Sequence, residues 1–464
     1  TSCSAVGSEA AIFSTGAYSS IRKLLNSSIE NFEGVGLAIT RMAGNTYIGN
    51  AALSVTAGAI DQGEKPAVPS AILKYHCTEL GRMCANDAMD VHGGKGVMMG
   101  PNNYLGRGYM ATPIAITVEG ANILTRSLII YGQGAIRCHP FVLRELQAAA
   151  DEDHDRGLIE FDDALFGHIG YAISNLARSF FLALTHGKFS RVPLNTPTRR
   201  YYQNINRYSS AFALASDFAM LTLGGDLKRR ELLSARLGDI LSSMYLASCV
   251  LKHFENQGRR ATDLPLVEWS VRTLMYQAQE SLHAFLLNLP NRWISWVLRF
   301  FIFPRGRTYK NPSDELGQRV VELITTPGES RERLCEWTYK TLEPGNPLGQ
   351  LQEALELSIE HAPLEKRLRQ AFREGLIESE YIGHQIGEAE KAQVISKAEA
   401  NSLRDYHEKV VFLLDVDDFA PEELARQPVQ EAAAAPEKPA RKKTATKKKT
   451  SSKKKVTKKK TART

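Results

Sequence analysis

The sequence predicts an all-α protein, and three features support this fold class. Apolar residues recur at the three- and four-residue spacing of a helix face through most of the 464-residue chain. The strict alternation of apolar and polar residues that marks a half-buried strand is almost absent. Glycine pairs interrupt the helical pattern at Gly93-Gly94 and Gly224-Gly225, where helices commonly end. We expect two helical domains, residues 1–150 and 151–425, followed by a disordered tail, residues 426–464.

The composition is that of an ordinary globular protein except near its end. Hydrophobic residues make up 43% of the chain and charged residues 23%, which is enough to build a large core. The formal net charge is +7, but thirteen basic residues lie within residues 441–463, so the rest of the chain is net acidic. The basic character therefore belongs to the predicted tail, which lacks the apolar residues needed to fold.

Cysteine usage indicates a reducing compartment. The six cysteines are spread through the chain without a closely spaced pair, unlike those of a small disulfide-rich module. The sequence begins at Thr1 with neither the charged nor the apolar region of a secretory signal peptide. We expect a cytoplasmic location, and we expect the sequence to be part of a longer protein.

Two helices of the first predicted domain can be read from their apolar faces. The residues on one face of the helix before Gly93 are Ile72, His76, Leu80, Met83, Cys84, Asp87 and Val91. A second helix is indicated after Gly120 by Ile123, Leu124, Ser127, Leu128 and Tyr131.

Glu119 stands between the apolar residues 113–118 and the start of that second helix. An apolar environment removes solvent from a carboxylate and makes it a stronger base, so Glu119 is the candidate catalytic base. The alternative is that Glu119 only places negative charge near a helix N-terminus.

The second predicted domain begins after the acidic residues 151–155, whose spacing matches no defined metal-binding loop. We therefore expect an acidic linker there and no metal site. Residues on one helix face predict packed helices on both sides of Gly224-Gly225, with Phe212, Ala215, Phe218, Ala219 and Thr222 before the glycines and Leu233, Leu237, Ile240, Leu241, Met244 and Leu251 after them. Shorter amphipathic segments follow at residues 351–357, 368–377 and 392–414.

Residues 14–140 carry a series of motifs in a characteristic order. These are Arg22-Lys23, Gly93-Gly94, Arg107, Glu119-Gly120 and Arg126. In this order they resemble the C-terminal helical domain of acyl-CoA dehydrogenases, the flavoenzymes of fatty-acid β-oxidation. The segments AMDVHGGKG at 88–96, LGRGY at 105–109 and GQGAIRCHP at 132–140 are similar to the long bacterial branch, which carries an extra C-terminal helical region.

The resemblance implies an FAD-dependent enzyme that converts fatty acyl-CoA to trans-2-enoyl-CoA. Glu119 matches the residue that removes the α-proton and whose backbone N–H hydrogen-bonds the thioester oxygen. Gly120 leaves room for the substrate, Arg22 matches the arginine that reaches the FAD pyrophosphate, and Gly93-Gly94 match the turn beside the FAD phosphates. Family members are homo-oligomers that pass electrons to an acceptor, commonly another flavoprotein. They place a helical and a β-barrel domain before the region matched here, so we expect this chain alone to be inactive.

Two regions leave other interpretations open. The aromatic residues 293–303, flanked by arginines, suit an anionic membrane surface at the inner face of the plasma membrane, although a buried hairpin with basic ends has the same pattern. The lysine-rich tail suits anionic lipid, or it is simply solvated. It lacks interleaved aromatic residues, so nucleic acid is not an expected partner. The alternative function is a non-catalytic helical interaction protein anchored by this tail.

Overall fold

The computed structural model describes residues 1–137, 139–192 and 196–424, and the predicted disordered tail lies outside them. The described residues are almost entirely helical, so the predicted fold class is confirmed. Two strands of two residues each, β1 (Lys23–Leu24) and β2 (Ser27–Ser28), pair in antiparallel fashion directly after the first helix.

The helices, numbered in chain order, are α1 (Ser2–Ile21), α2 (Glu33–Asp61), α3 (Ala67–His92), α4 (Gly94–Val97), α5 (Gly106–Thr117), α6 (Asn122–Leu124), α7 (Ile130–Arg137), α8 (Val142–Ala149), α9 (His154–Leu184), α10 (Arg199–Leu223), α11 (Glu231–Asn256), α12 (Leu264–Leu287), α13 (Arg292–Ile302), α14 (Asp314–Thr325), α15 (Glu329–Leu334), α16 (Pro347–Arg373), α17 (Ile382–Lys391), α18 (Lys397–Leu414) and α19 (Pro421–Leu424). A π-helical turn, Thr125–Ile129, joins α6 to α7.

Residues 1–417 form one compact unit with a shared apolar core. The largest cluster of buried side chains includes Ile12 and Met42 from the first predicted domain and Leu237 and Val271 from the second. Burial of these side chains removes apolar surface from water on both sides of residue 151. Helices from both sides of residue 151 share this core. The division into two domains at that residue stays a prediction.

The buried guanidinium of Arg331 connects four helices. It is completely buried on α15 and donates hydrogen bonds to the backbone oxygens of Phe13 in α1 and Ile324 in α14, both at 2.7 Å. It also donates to Gln352 Oε1 of α16 at 3.2 Å and lies 4.2 Å from the centre of the Phe13 ring. Burial lowers the pKa of Arg331, because removal from water penalises the charged form.

Local capping residues fix where two of the predicted helices begin and end. Gly224 follows α10 with φ +48°, as expected for a glycine at a helix C-terminus. The acidic residues 151–155 lead into α9, and the side chain of Asp153, the residue before the helix, accepts a hydrogen bond from the backbone N–H of Arg156 at 3.2 Å.

No single helix in the described part of the chain combines the length and the apolar composition needed to cross a membrane. By those two criteria alone, one bent pair qualifies, Gly106–Thr117 with Asn122–Gly132, whose axes differ by 48°.

We predict that Gly16→Ala destabilises the protein. An added Cβ would lie 2.7 Å from Arg331 Nη1 and 2.9 Å from the backbone oxygen of Ile324, closer than packed atoms allow. Overpacking of this kind costs about 1–3 kcal/mol of unfolding free energy, measurable by urea denaturation. The matched control is Gly49→Ala in α2, where an added Cβ meets nothing within 4 Å. If the two variants unfold at the same urea concentration, the packing around Arg331 is not as described.

Candidate functional site

Glu119 and Gly120 form a tight turn between α5 and α6. Both residues have positive φ angles, +51° and +93°, and glycine is the residue that adopts such angles without strain. Both are exposed, so the prediction that Glu119 is itself shielded from solvent is wrong for this chain on its own. The residues around it are apolar as predicted, but they too face solvent, with Ile114 61% and Ile123 81% exposed.

Lys74 of α3 holds this turn in place. Its Nζ donates hydrogen bonds to the backbone oxygen of Ile116 at 3.1 Å and to Asn122 Oδ1 at 2.6 Å, one on each side of the turn. The Asn122 amide donates in turn to Glu79 Oε1 at 2.8 Å. Burial lowers the pKa of Lys74, and the carboxylates of Glu79 and Glu119 oppose that shift. This anchor could not be predicted from local patterns, because its residues are more than forty positions apart in sequence.

Arg22 lies close to the Gly93-Gly94 turn, as the two motifs require if they bind one ligand. Arg22 Nη1 donates to the Tyr18 hydroxyl at 2.6 Å, and that hydroxyl donates to the backbone oxygen of His92 at 3.3 Å. The Tyr18 and His92 rings stack with their centres 4.0 Å apart. Arg22 and Gly93 are therefore connected through two buried aromatic rings, although seventy residues separate them in sequence.

The Gly93-Gly94 turn presents open backbone at the end of α3. Gly93 has φ +56° and ψ −125°, a conformation that L side chains rarely adopt, and a Cβ built there meets nothing within 4 Å. Directly after it, the buried Lys95 side chain donates to the backbone oxygen of Asp415 beyond α18. Asp417 accepts from the backbone N–H of Asn102 at 3.1 Å. The segment after α18 thus supports the glycine turn, a contact that the sequence motifs did not reveal.

Arg126, seven residues after Glu119, forms a partly buried ion pair rather than facing the turn. Its guanidinium donates through Nε to Asp239 Oδ1 at 2.8 Å and through Nη2 to Asp239 Oδ2 at 2.6 Å. The hydrogen bonds to Asp239 raise the pKa of Arg126, whereas burial raises the pKa of Asp239. This two-bond geometry attaches the segment after the Glu119 turn to α11.

A cavity of about 330 Å³ lies between α1, α3 and α5. Small residues of α1, including Gly7 and Ala10, line one wall, and Tyr109 and Ala115 of α5 line another. Its α5 wall leads along the helix toward the Glu119 turn.

The structure groups the predicted residues into two places. Arg22 lies with Gly93-Gly94 at one place and Glu119-Gly120 at the other, with no direct contact between the two groups.

A third cluster, His139, His168 and Asp217, has the composition of a metal site. His139 Nε2 lies 2.9 Å from Asp217 Oδ1, and His168 Nε2 lies 3.4 Å from the same oxygen. The backbone N–H groups of Phe141 and Val142 both donate to His139 Nδ1, so the ring proton is on Nε2 and is donated to Asp217. A protonated nitrogen cannot ligate a metal, and we interpret the cluster as a hydrogen-bonded link between helices.

We predict that Lys74→Met loosens the Glu119 turn. The variant removes two hydrogen bonds from a charged donor, so amide hydrogen exchange across residues 117–122 becomes faster by roughly tenfold or more. Exchange measured by mass spectrometry reports this directly. Lys65→Met, at an exposed position before α3, serves as the control and leaves exchange in this segment unchanged. Equal exchange in wild type and Lys74→Met would show that the anchor is unimportant.

A second prediction concerns the pH dependence of stability. Burial lowers the pKa of His92 from 6.5 to about 3, and the hydrogen bond from its Nδ1–H to the Ala88 oxygen only partly opposes this shift. Between these values the unfolded chain binds a proton that the folded chain does not, so stability falls as pH falls through this range. Replacing His92 by Gln reduces that slope by up to about 1.4 kcal/mol per pH unit.

Urea unfolding at a series of pH values measures this slope. Burial also lowers the pKa of His76, to about 4, so part of the wild-type slope remains in the variant. His154→Gln, at an exposed site on α9, provides the control and keeps the wild-type slope. An unchanged slope in His92→Gln contradicts the burial described for this ring.

Comparison with known proteins agrees with this architecture. The family model described as acyl-CoA dehydrogenase, C-terminal, bacterial type matches residues 136–419, and the model described as acyl-CoA dehydrogenase, C-terminal domain, matches residues 1–132. A solved structure of an acyl-CoA dehydrogenase complexed with FAD from Bacillus anthracis is similar in fold, with 15% sequence identity and a TM-score of 0.53. The match covers 73% of this chain and 55% of that one, so this chain spans about half the length of its neighbour.

Because the bacterial-type model alone covers more than half of its residues, the chain belongs to the acyl-CoA dehydrogenase family and carries that family's C-terminal helical region.

Proposed function

We propose that this chain forms the flavin- and acyl-binding half of an enzyme that oxidises fatty acyl-CoA to trans-2-enoyl-CoA, the first step of β-oxidation. The observation that carries the proposal is the Glu119-Gly120 turn, which presents a carboxylate within a group of exposed apolar side chains and is fixed by Lys74. Exposed apolar surface on this scale marks a binding site. A fatty acyl chain and further protein surface are its proposed occupants.

The residues near Arg22 fit an FAD pyrophosphate. Within the described residues Arg22 has no carboxylate partner, so its guanidinium is free to form charge-assisted hydrogen bonds with phosphate oxygens. The adjacent Gly93-Gly94 backbone is exposed, and the absence of side chains there lets a ligand approach closely. When bound, FAD supplies the acceptor for the hydride that leaves the β-carbon of the substrate.

Glu119 supplies the base in this proposal. Its carboxylate takes the α-proton of the thioester as the hydride leaves the β-carbon, and the electron pair of the α-C–H bond forms the new double bond. Its backbone N–H donates a hydrogen bond to the thioester oxygen and stabilises the charge that develops there. Covering the exposed Ile114 and Ile123 side chains with substrate would desolvate the carboxylate and strengthen it as a base.

The partners follow from the same proposal. Homo-oligomer formation and an electron acceptor, commonly a flavoprotein, are proposed from family membership, since the family models describe acyl-CoA dehydrogenases. We also propose a cytoplasmic location with peripheral attachment to the inner face of the plasma membrane. This proposal rests on exposed aromatic side chains of α9 and α13.

The test is Glu119→Gln in the full-length protein that carries this chain. The amide has nearly the same shape but cannot accept the proton, so we expect retained FAD and a reduction of the flavin by acyl-CoA that is at least about 100-fold slower. Stopped-flow absorbance of the flavin measures this rate. Glu64→Gln, on the exposed connection between α2 and α3, is the control with the same chemical change.

Two results would contradict the proposal. Flavin reduction at the wild-type rate in Glu119→Gln would assign the base to another residue. Failure of the full-length wild-type protein to bind FAD would favour the non-catalytic interaction protein instead.

A further inference from the structure

Helix α13 has one buried face and one aromatic face that is open to solvent. Ser295, Leu298 and Ile302 are buried against the core. On the opposite face Trp293 is 80% and Trp296 65% exposed. The helix is therefore amphipathic, and the alternative interpretation as a buried hairpin does not describe its exposed face. Exposed tryptophans on this scale are costly in water and typical of interfaces.

Aromatic contacts extend this surface from α13 onto α9. The exposed Phe300 stacks on Phe180 of α9 with ring centres 5.5 Å apart. One residue further along, the exposed Phe181 lies 5.8 Å from the exposed Phe189, which follows α9. We call the exposed members of this set, Phe181, Phe189, Trp293, Trp296 and Phe300, the aromatic face.

A cluster of cations adjoins the aromatic face. His186 lies between Phe181 and Phe189 in sequence, with φ +52°, a strained angle for a residue other than glycine. Arg305 Nη1 lies 3.3 Å from His186 Nε2. Burial lowers the pKa of His186, and the positive charges of Arg207, Arg305, Lys188 and Arg200 lower it further. Arg200 donates to the backbone oxygen of His186 at 3.0 Å, and the Thr308 hydroxyl that accepts from Arg207 lies 3.4 Å from His186 Nδ1, so three arginines meet at this residue.

Arg207 is the buried member of this cluster. Its side chain on α10 is only 3% exposed, yet it forms no ion pair with a carboxylate in the described part of the chain. Its hydrogen bond is to the Thr308 hydroxyl at 3.3 Å, and its guanidinium lies 5.2 Å from the centre of the Tyr208 ring. Arg331 is buried with three oxygen acceptors, whereas Arg207 has the Thr308 hydroxyl as its acceptor within the described residues, so the Arg207 charge is poorly satisfied. This indicates that an anion binds here.

We propose that the aromatic face and the cation cluster together dock the protein on an anionic membrane, with the phosphate of a phospholipid bound between Arg207, Arg305 and Lys188. Guanidinium groups match phosphate oxygens in geometry and charge, and the neighbouring Phe189 and Trp296 enter the apolar boundary of the bilayer. The excess of cations beside the face opposes docking of a second copy, which would bring like charges together. This inference does not depend on the proposed dehydrogenase activity.

The test compares two arginines of one loop. Arg305 faces the cluster, whereas Arg307 is paired with Glu280 at 2.5 Å, and both lie in the connection after α13. Replacing either by Gln changes the net charge by the same amount. The full chain is floated with vesicles of phosphatidylcholine alone or of an equimolar mixture with phosphatidylglycerol. We expect binding to the anionic vesicles only, about fivefold weaker for Arg305→Gln and near the wild-type level for Arg307→Gln.

Trp296→Ala tests the apolar part, with Trp337→Ala, an exposed tryptophan outside the face, as its control. We expect weaker flotation for Trp296→Ala alone, and circular dichroism melts show whether each variant is folded. The proposal is refuted if wild type fails to float with anionic vesicles at low salt, or if Arg305→Gln and Arg307→Gln behave alike. It is also refuted if calorimetry shows binding of inorganic phosphate while the chain stays off vesicles, or if light scattering shows that the face joins two copies.

Discussion

The buried guanidinium of Arg331 is the constraint on which the rest of the fold depends. A charge removed from water costs several kcal/mol unless polar groups surround it, so the acceptors on α1, α14 and α16 must be in place when the protein folds. Gly16 allows α1 to approach close enough for these bonds. These hydrogen bonds therefore fix where α1 lies relative to α14, α15 and α16, in addition to the burial of its side chains.

Fixing α1 has consequences for the candidate site. Tyr18 and Arg22 lie on and just after the last turn of α1, and the hydrogen bond from Tyr18 to the His92 oxygen sets the position of the Gly93 turn relative to Arg22. A packing interaction formed with α14–α16 thus determines the distance between two predicted flavin-binding motifs. The hydrogen bond from Lys95 to the backbone oxygen of Asp415, after α18, also holds the Gly93-Gly94 turn in position. The C-terminal helical region supports the glycine turn that the proposal assigns to FAD.

Local patterns predicted much of this structure, because helix periodicity and end signals depend on neighbouring residues. The helix before Gly93, the helix start after Gly120 and the glycine end of α10 are all present. Long-range features were not predictable from one sequence. Lys74 and Asn122 look like an ordinary lysine and asparagine, and nothing near Arg331 or Arg207 in sequence indicates that either side chain is buried. The apolar residues around Glu119 predict an apolar environment for its carboxylate. They do not predict whether other parts of the protein bury that environment, so the exposure of Glu119 could not be predicted.

We propose that Arg22, the Gly93-Gly94 turn and Glu119 serve one flavin and acyl-CoA site. The most direct test is an experimental structure of the full-length protein with FAD and an acyl-CoA bound. We expect FAD phosphates in contact with Arg22 and the Gly94 backbone, and the substrate α-carbon beside the Glu119 carboxylate. Phosphates bound away from both motifs, or another carboxylate closest to the α-carbon, would contradict it.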